Sequence, residues 1–361
     1  MIVKMGQEGP LSWEGKMTRL ITKLGFATGL AFVTAASSLA QELPKNLRVV
    51  IGSTSTGGDT YQAASFVADA MSKHFNINAK VDAVGPTEAF KAIARDRRGT
   101  TIMIHHDQSY LGHLYGVKGY EDIFATYKIG PTLTINPGNA YLVPKKSPYK
   151  SVVEVIDAAA NGTRVRVAIQ PGGVSEIGFS ALKNAAKIKK PGSEENIVPV
   201  NTGSQSDKDQ LLFDGQVDVI NGSVQSNEQY TRLPENDQKA MRFIWLTAAQ
   251  ETLEQVNEKG LGETSRESLM QYATPKASVT LDGEKDFTFD KDFFILYNKD
   301  IDPAIVAAID AGLKEIYAKG AIDKTMKDAF FVPHFLPSME ATAYLEKKRG
   351  DYNKVIEAIR Q

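Results

Sequence analysis

Residues 52–60 run Gly52, Ser53, Thr54, Ser55, Thr56, Gly57, Gly58, Asp59 and Thr60. Glycines let backbone amides approach a ligand closely and hydroxyls add donors, so such a loop before a helix is suited to cradle an anion. The run lacks the Lys-Ser/Thr ending of a phosphate loop and the spacing of a dinucleotide fingerprint, which argues against a nucleotide. A second loop of this kind spans residues 169–175 and carries Gly172, Gly173 and Ser175. A third carries Thr202, Gly203 and Ser204. One helix end contributes only ~0.3–1 kcal/mol to holding a carboxylate, or up to ~2 when partly buried. Micromolar affinity requires about −8 kcal/mol, so direct hydrogen bonds and exclusion of water must supply the rest. The expected arrangement has residues 53–60 on one acidic end of a small anion and the two later loops on the other. Tyr61 and one of His105 or His106 would shape the middle. Merely tight Gly/Ser/Thr turns are the alternative reading of these loops.

His105, His106 and Asp107 form the most reactive-looking cluster outside the loops. Adjacent histidines on an extended strand point to opposite faces, so both cannot reach one metal without a sharp bend. One of them is therefore expected as a hydrogen-bond donor in a pocket, with no metal and no cofactor. His113 and His334 read as structural. No G-x-S-x-G or H-E-x-x-H pattern occurs, and the chain contains no cysteine. Nucleophilic catalysis by these routes, disulfides, thiolate metal sites and a lipid-modified cysteine are excluded. Binding is favoured over catalysis, with an exported enzyme acting on a small acid as an alternative.

The elements that must position these loops read as α/β. Strands are expected at 47–52, 100–104, 140–143, 165–169, 197–200, 217–221, 243–247 and 293–297, with helical patterns between most of them. Ala63, Phe66, Val67, Ala70 and Met71 recur at helical spacing after the first loop. Ser151 and Glu154 form a capping box, Asp302 with Pro303 opens a helix, and a last helix runs from 338 to about 359. The break around Pro144 and Pro148 suggests a lobe boundary. The division expected is 1–40 as an extension and leader, 41–141 plus 298–361 as lobe one, and 142–297 as lobe two.

Lys16, Arg19 and Lys23 precede an apolar run at 24–36 that ends in Ser38, Leu39 and Ala40. About thirteen apolar residues are too few to span a bilayer, so the segment reads as a cleavable export signal. Cleavage after Ala40 would release a soluble chain from Gln41, with residues before Met17 as an upstream extension. Of the 42 basic and 43 acidic residues, 38 and 41 then remain, and this near-neutral balance does not suit nucleic acid. About 320 residues suffice for two cores.

The sequence resembles the substrate receptors of tripartite tricarboxylate transporters, also called Bug-type receptors. The resemblance is densest at 143–154, at 197–200 with 211–218, and from Asp302 to Val306 and the helices after it. It implies a two-lobed, type II Venus-flytrap fold in the periplasm and a monomer that binds a small organic anion. It also implies delivery to integral-membrane transporter subunits; presenting the ligand to a sensor kinase is the other receptor role. Tyr61, Val174 and Asn201 depart from residues usual in the family, so the tricarboxylate of the family name is not carried over.

Overall fold

Val49, Val50 and Ile51 are buried completely, and they anchor the first strand, β1 (Asn46–Ile51). The computed structural model describes residues 43–360; the expected leader and its cleavage site lie outside the described residues. β1 pairs in parallel with β2 (Asn78–Ala83) and β3 (Thr101–His106). The connecting helices cover opposite faces, as strand alternation requires. Val49, Ile51, Ile102 and Ile104 pack with α1 (Asp59–Phe75), whereas Val50 and Met103 pack with α2 (Pro86–Arg95). α3 (Gln108–Leu114) and α4 (Ile123–Thr126) then lead to β4 (Tyr127–Asn136) in the same sheet.

The chain next crosses to a second sheet, entering it as β5 (Ala140–Pro144). There α5 (Val152–Ala160), β6 (Val165–Ile169), α6 (Val174–Lys189), β7 (Ile197–Asn201) and α7 (Gln205–Phe213) follow one another. β8 (Val219–Gly222), α8 (Val224–Thr231), β9 (Met241–Leu246), α9 (Gln250–Leu253) and α10 (Arg266–Met270) complete this part. The chain returns to the first sheet as β10 (Lys291–Asn298). α11 (Pro303–Ala318), α12 (Ala321–Asp328), β11 (Val332–Leu336) and α13 (Ser338–Arg360) end it.

The strand orders are β2-β1-β3-β10-β4-β11 and β7-β6-β8-β5-β9. Each sheet thus holds three parallel strands and then one antiparallel strand contributed where the chain has just crossed over. This is a two-lobed α/β architecture with two crossings. By sheet membership Ala140 already belongs to the second sheet and residues 291–298 to the first, so the crossings lie at 137–139 and within 247–290. The strand expected at 293–297 is therefore part of the first sheet. Among the described residues no helix is long and apolar enough to cross a membrane.

Three strands, β2, β4 and β11, went unread in the sequence. β4 contains Gly130 and Pro131, and its pairing with β10 slips between Phe294 and Leu296, opposite them. Proline cannot donate to a ladder and glycine weakens a strand, so the run looks like a loop until a bulge absorbs the slip. β11 carries Pro333 and occupies a sheet edge, where proline is tolerated. The capping signals formed largely as read: Glu154 N donates to Ser151 Oγ (3.3 Å) and Ala304 N to Asp302 Oδ1 (2.9 Å). The Glu154 carboxylate, however, accepts from Lys150 N rather than completing the box on Ser151.

Candidate functional site

A cavity of about 600 Å³ opens beside the first loop. Thr56, Gly57, Gly58, Asp59 and Tyr61 line it on the first-sheet side, and Gln225, Ser226 and Leu261 face them from the second part of the chain. The loop serines brace the turn itself: Ser55 N donates to Ser53 Oγ (3.1 Å) and Gly57 N to Ser55 Oγ (3.3 Å). No side chain caps the seventeen-residue helix α1, whose N-cap is Gly58. Gly58 has φ −89°, and a Cβ on Gly57 or Gly58 would meet nothing closer than 4.0 Å. The local backbone therefore does not demand glycine at either position, and the space that they leave belongs to the cavity. Thr54 is exposed and Thr60 buried.

Asp59, expected among the ligand contacts, turns inward instead. Its carboxylate pairs with Lys291 at the start of β10 and accepts from Asn136 Nδ2 (2.6 Å). Burial alone would raise the Asp59 carboxyl, but the Lys291 charge and hydrogen bond together with the Asn136 amide hold it below its ordinary value. The two histidines lie deeper than a pocket donor would. His105 is fully buried against Gly52, where an added Cβ would sit 2.3 Å from the imidazole. Burial, aided by the Lys291 charge, pulls His105 down to about 3, so the ring is neutral. Neither of its nitrogens has a hydrogen-bond partner among the described residues. His106 accepts from Gln108 N through Nδ1 (3.2 Å) and is 8% exposed. The rings contact opposite sides of the sheet, Phe90 for His105 and Phe293 for His106, yet their centroids are only 4.6 Å apart. Strand alternation holds, but leaning at the end of β3 brings the rings together. Among the described residues no three His, Cys, Asp or Glu side chains group to hold a metal ion.

The second loop lies at the start of α6 but does not line the cavity. Gln108 from the first part of the chain clasps it, donating through Nε2 to Gly172 O (2.8 Å) and accepting from Val174 N (3.2 Å). The amide and helix end read as ligand donors are thus engaged by a side-chain amide. Gly172 has φ +80°, and a Cβ on Gly173 would lie 1.6 Å from Gln108 Oε1, so this contact needs both glycines. Ser175 Oγ accepts from Gln170 N (3.0 Å) and donates to Asn221 Oδ1 (2.6 Å). In the third loop Thr202 Oγ1 donates to Ile169 O (2.9 Å), Gly203 N to Asp207 Oδ2 (3.2 Å), and Ser204 caps α7 by accepting from Asp207 N (3.1 Å). The three loops follow the carboxyl ends of β1, β6 and β7, but only the first faces the cavity.

No protein-family model and no curated protein matches the sequence. Solved structures do. Rpa4515 of R. palustris with adipate aligns with a TM-score of 0.66 at 16% identity, covering 88% of this chain and 98% of that one. MatC of Rhodopseudomonas palustris with bound malate gives 0.64 at 15% identity, covering 87% of this chain and all of the other. The periplasmic binding protein BugD gives 0.62 at 15%, over 87% and 97% of the two chains. The fold is that of the Bug-type periplasmic binding proteins.

In this binding-protein fold the ends of β1 and β8 meet across the cavity, because Gln225 and Ser226 open the helix after β8. Sequence reading missed these two, and also Lys291, Asn221 and Lys208. Lys208 left a legible signal: it lies three and four residues before Leu211 and Leu212, on the face of α7 that turns inward. Only 2% of Lys208 is exposed.

Proposed function

We propose that this chain is an extracytoplasmic solute-binding receptor, a monomer that captures a small carboxylate between two lobes and passes it to a tripartite tricarboxylate-type membrane transporter. The single observation that carries this reading is the cavity of about 600 Å³ between Gly57–Gly58 at the uncapped start of α1 and Gln225–Ser226 at the start of α8. A helix N-terminus free of a side-chain cap favours a negative group, and glycines there leave room for it. Malate and adipate are the compounds named with two structures of the same fold, and a small organic acid matches the cavity in size and polarity. Binding without chemical conversion, and a periplasmic location reached through the segment at residues 1–40, complete the proposal.

Lobe one in this reading comprises β1–β4, β10, β11 and their helices, and lobe two comprises β5–β9. The chain passes between them at residues 137–139 and again within 247–290, whose helices α9 and α10 pack with lobe two. A ligand favours the closed form only by contacting both lobes better there than in the open form.

A thermal-shift panel of malate, adipate, citrate, benzoate, glucose and arginine tests the reading. An acid that binds only the folded protein raises its melting temperature by mass action, so at least one of the four carboxylates is expected to do so. A shift with glucose and with none of the acids would refute it.

A further inference from the structure

Two carboxylates, Asp59 and Asp328, line the cavity of about 600 Å³, and its lining residues include no lysine, arginine or histidine. A negative charge beside a bound anion repels it, most strongly where solvent does not screen the two. The two acids differ in this respect. Asp328, at the end of α12, is half exposed; it pairs with Lys324 (2.6 Å) and accepts from Asn257 Nδ2 (3.1 Å), so solvent and a neighbouring cation screen its charge. Asp59 is the first residue of α1, next to the Gly58 N-cap, and its side chain is only 12% exposed. Its carboxylate is therefore the charge that would oppose an anion held at the start of α1.

Lys291 meets that charge directly. Its side chain is 6% exposed, its ammonium pairs with Asp59 Oδ2, and among the described residues no other carboxylate lies within ion-pair distance of it. Asn136 Nδ2 donates to the same oxygen (2.6 Å), so the carboxylate is drawn towards the ends of β4 and β10. Lys291 is the first residue of β10, and the preceding Asp290 accepts from Ala249 N (3.3 Å) and Thr252 Oγ1 (2.7 Å) at the start of α9. The strand that carries the ammonium to α1 is thus fastened at its entry to lobe two. The other titratable groups that sense the Lys291 charge are His105 and His106 of β3, which burial keeps neutral, and Lys208 of α7.

We propose that Lys291 is the positioning residue of the anion site: by pairing with Asp59 it holds that carboxylate out of the cavity and cancels its charge, leaving the amides at the start of α1 to the ligand. The proposal rests on the carboxylate-receptor reading and adds the residue that lets an acid-lined cavity accept an anion. The balance has a direction. Without the ammonium, Asp59 repels the ligand; without the carboxylate, Lys291 lacks a counter-ion and draws the ligand's negative group towards it.

The test measures binding by titration calorimetry and unfolding by thermal shift for wild type, Lys291→Met, Asp59→Asn and the double variant, with malate, adipate, citrate and benzoate as probes. Each single variant leaves a buried charge without its partner, so both are expected to melt below wild type. Their affinities are expected to move in opposite directions for any acid that the wild type binds. Near neutral pH binding should be about 10- to 100-fold weaker in Lys291→Met and about 3- to 10-fold tighter in Asp59→Asn, with the double variant within about 3-fold of wild type. The loss in Lys291→Met should shrink as pH falls towards about 5, because an unpaired buried carboxyl titrates above its ordinary value and its neutral form does not repel. Taking each affinity relative to wild type at the same pH cancels the titration of the ligand itself. An ion pair that served only the fold would move both single variants the same way. Weaker binding in both, or unchanged binding in both, would overturn the proposal and leave the receptor reading standing. If Lys291→Met does not fold, Asp59→Asn and the double variant decide, and Asp59→Asn binding no tighter than wild type overturns the proposal. A wild type that binds none of the four acids would overturn the receptor reading, and this proposal with it.

Discussion

Lys348→Met is expected to lower the unfolding free energy by about 3–5 kcal/mol at neutral pH, the usual cost of stranding a buried charge. Lys348 reaches from α13 to two fully buried carboxylates, Asp107 at the end of β3 (2.8 Å) and Asp292 at the start of β10. It also donates to Asp290 O (2.6 Å). Burial pushes both carboxyls up, and Lys348 pulls both down. Asp292, which also accepts from Tyr344 Oη (2.9 Å) and pairs with His334 (2.7 Å), ends below its ordinary value, whereas Asp107, beside the Asp292 charge, ends above it. A depressed carboxyl stabilises above its unfolded pKa of about 3.9, and this contribution is lost as pH falls through the folded value. In the variant the stranded carboxyls instead protonate, so the gap between the two proteins should narrow as pH approaches about 4. Urea unfolding at neutral and acid pH checks both points. A loss under about 0.5 kcal/mol, or one that does not change with pH, would show that the network does not hold the second crossing in place.

Gly138→Ala should destabilise by roughly 2–5 kcal/mol, combining left-handed backbone strain with overpacking. Gly138 sits in the first crossing with φ +58°, and a Cβ there would lie 2.3 Å from Ala248 N. The neighbouring bonds stitch the two crossings together. Asn139 N donates to Thr247 Oγ1 (2.8 Å) and Thr247 N to Asn139 O (3.0 Å), while Thr247 Oγ1 donates to Phe289 O (2.9 Å) and Phe289 N to Thr247 O (2.7 Å). The blocking atom is backbone and cannot swing aside, so the crossings themselves must shift. Thermal unfolding decides this, and a melting temperature equal to that of the wild type would contradict it.

What could be read in the sequence followed local rules. The first loop is legible because glycines and hydroxyls follow an apolar strand and precede a run with helical spacing. The same logic located the second and third loops, but not their partners. Gln108 engages Gly172 from 64 residues away, and Lys291 reaches Asp59 across 232, separations over which no local pattern carries information. Asp59 illustrates the limit: its position in the loop suggests a ligand contact, and only the return of β10 reveals its partner. His105 and His106 were located correctly at a strand end, yet their depth depends on how closely Gly52 lets the loop lie over them. Lys208 was legible only in part, since a lysine on the inward face of a helix stands out but its lack of a carboxylate partner does not.

Titration calorimetry of the wild type and Gly58→Val with the acid that gives the largest thermal shift tests the central claim most directly. A Cβ at Gly58 meets nothing closer than 4.0 Å and the backbone there suits any residue, so the variant should fold with wild-type stability. The added side chain projects into the cavity that the ligand is held to occupy. Wild type is expected to bind one acid per chain, and the variant to bind it at least about 100-fold more weakly, a difference of about 2.8 kcal/mol. Equal affinity in the two proteins would contradict the claim that an anion is held at the start of α1.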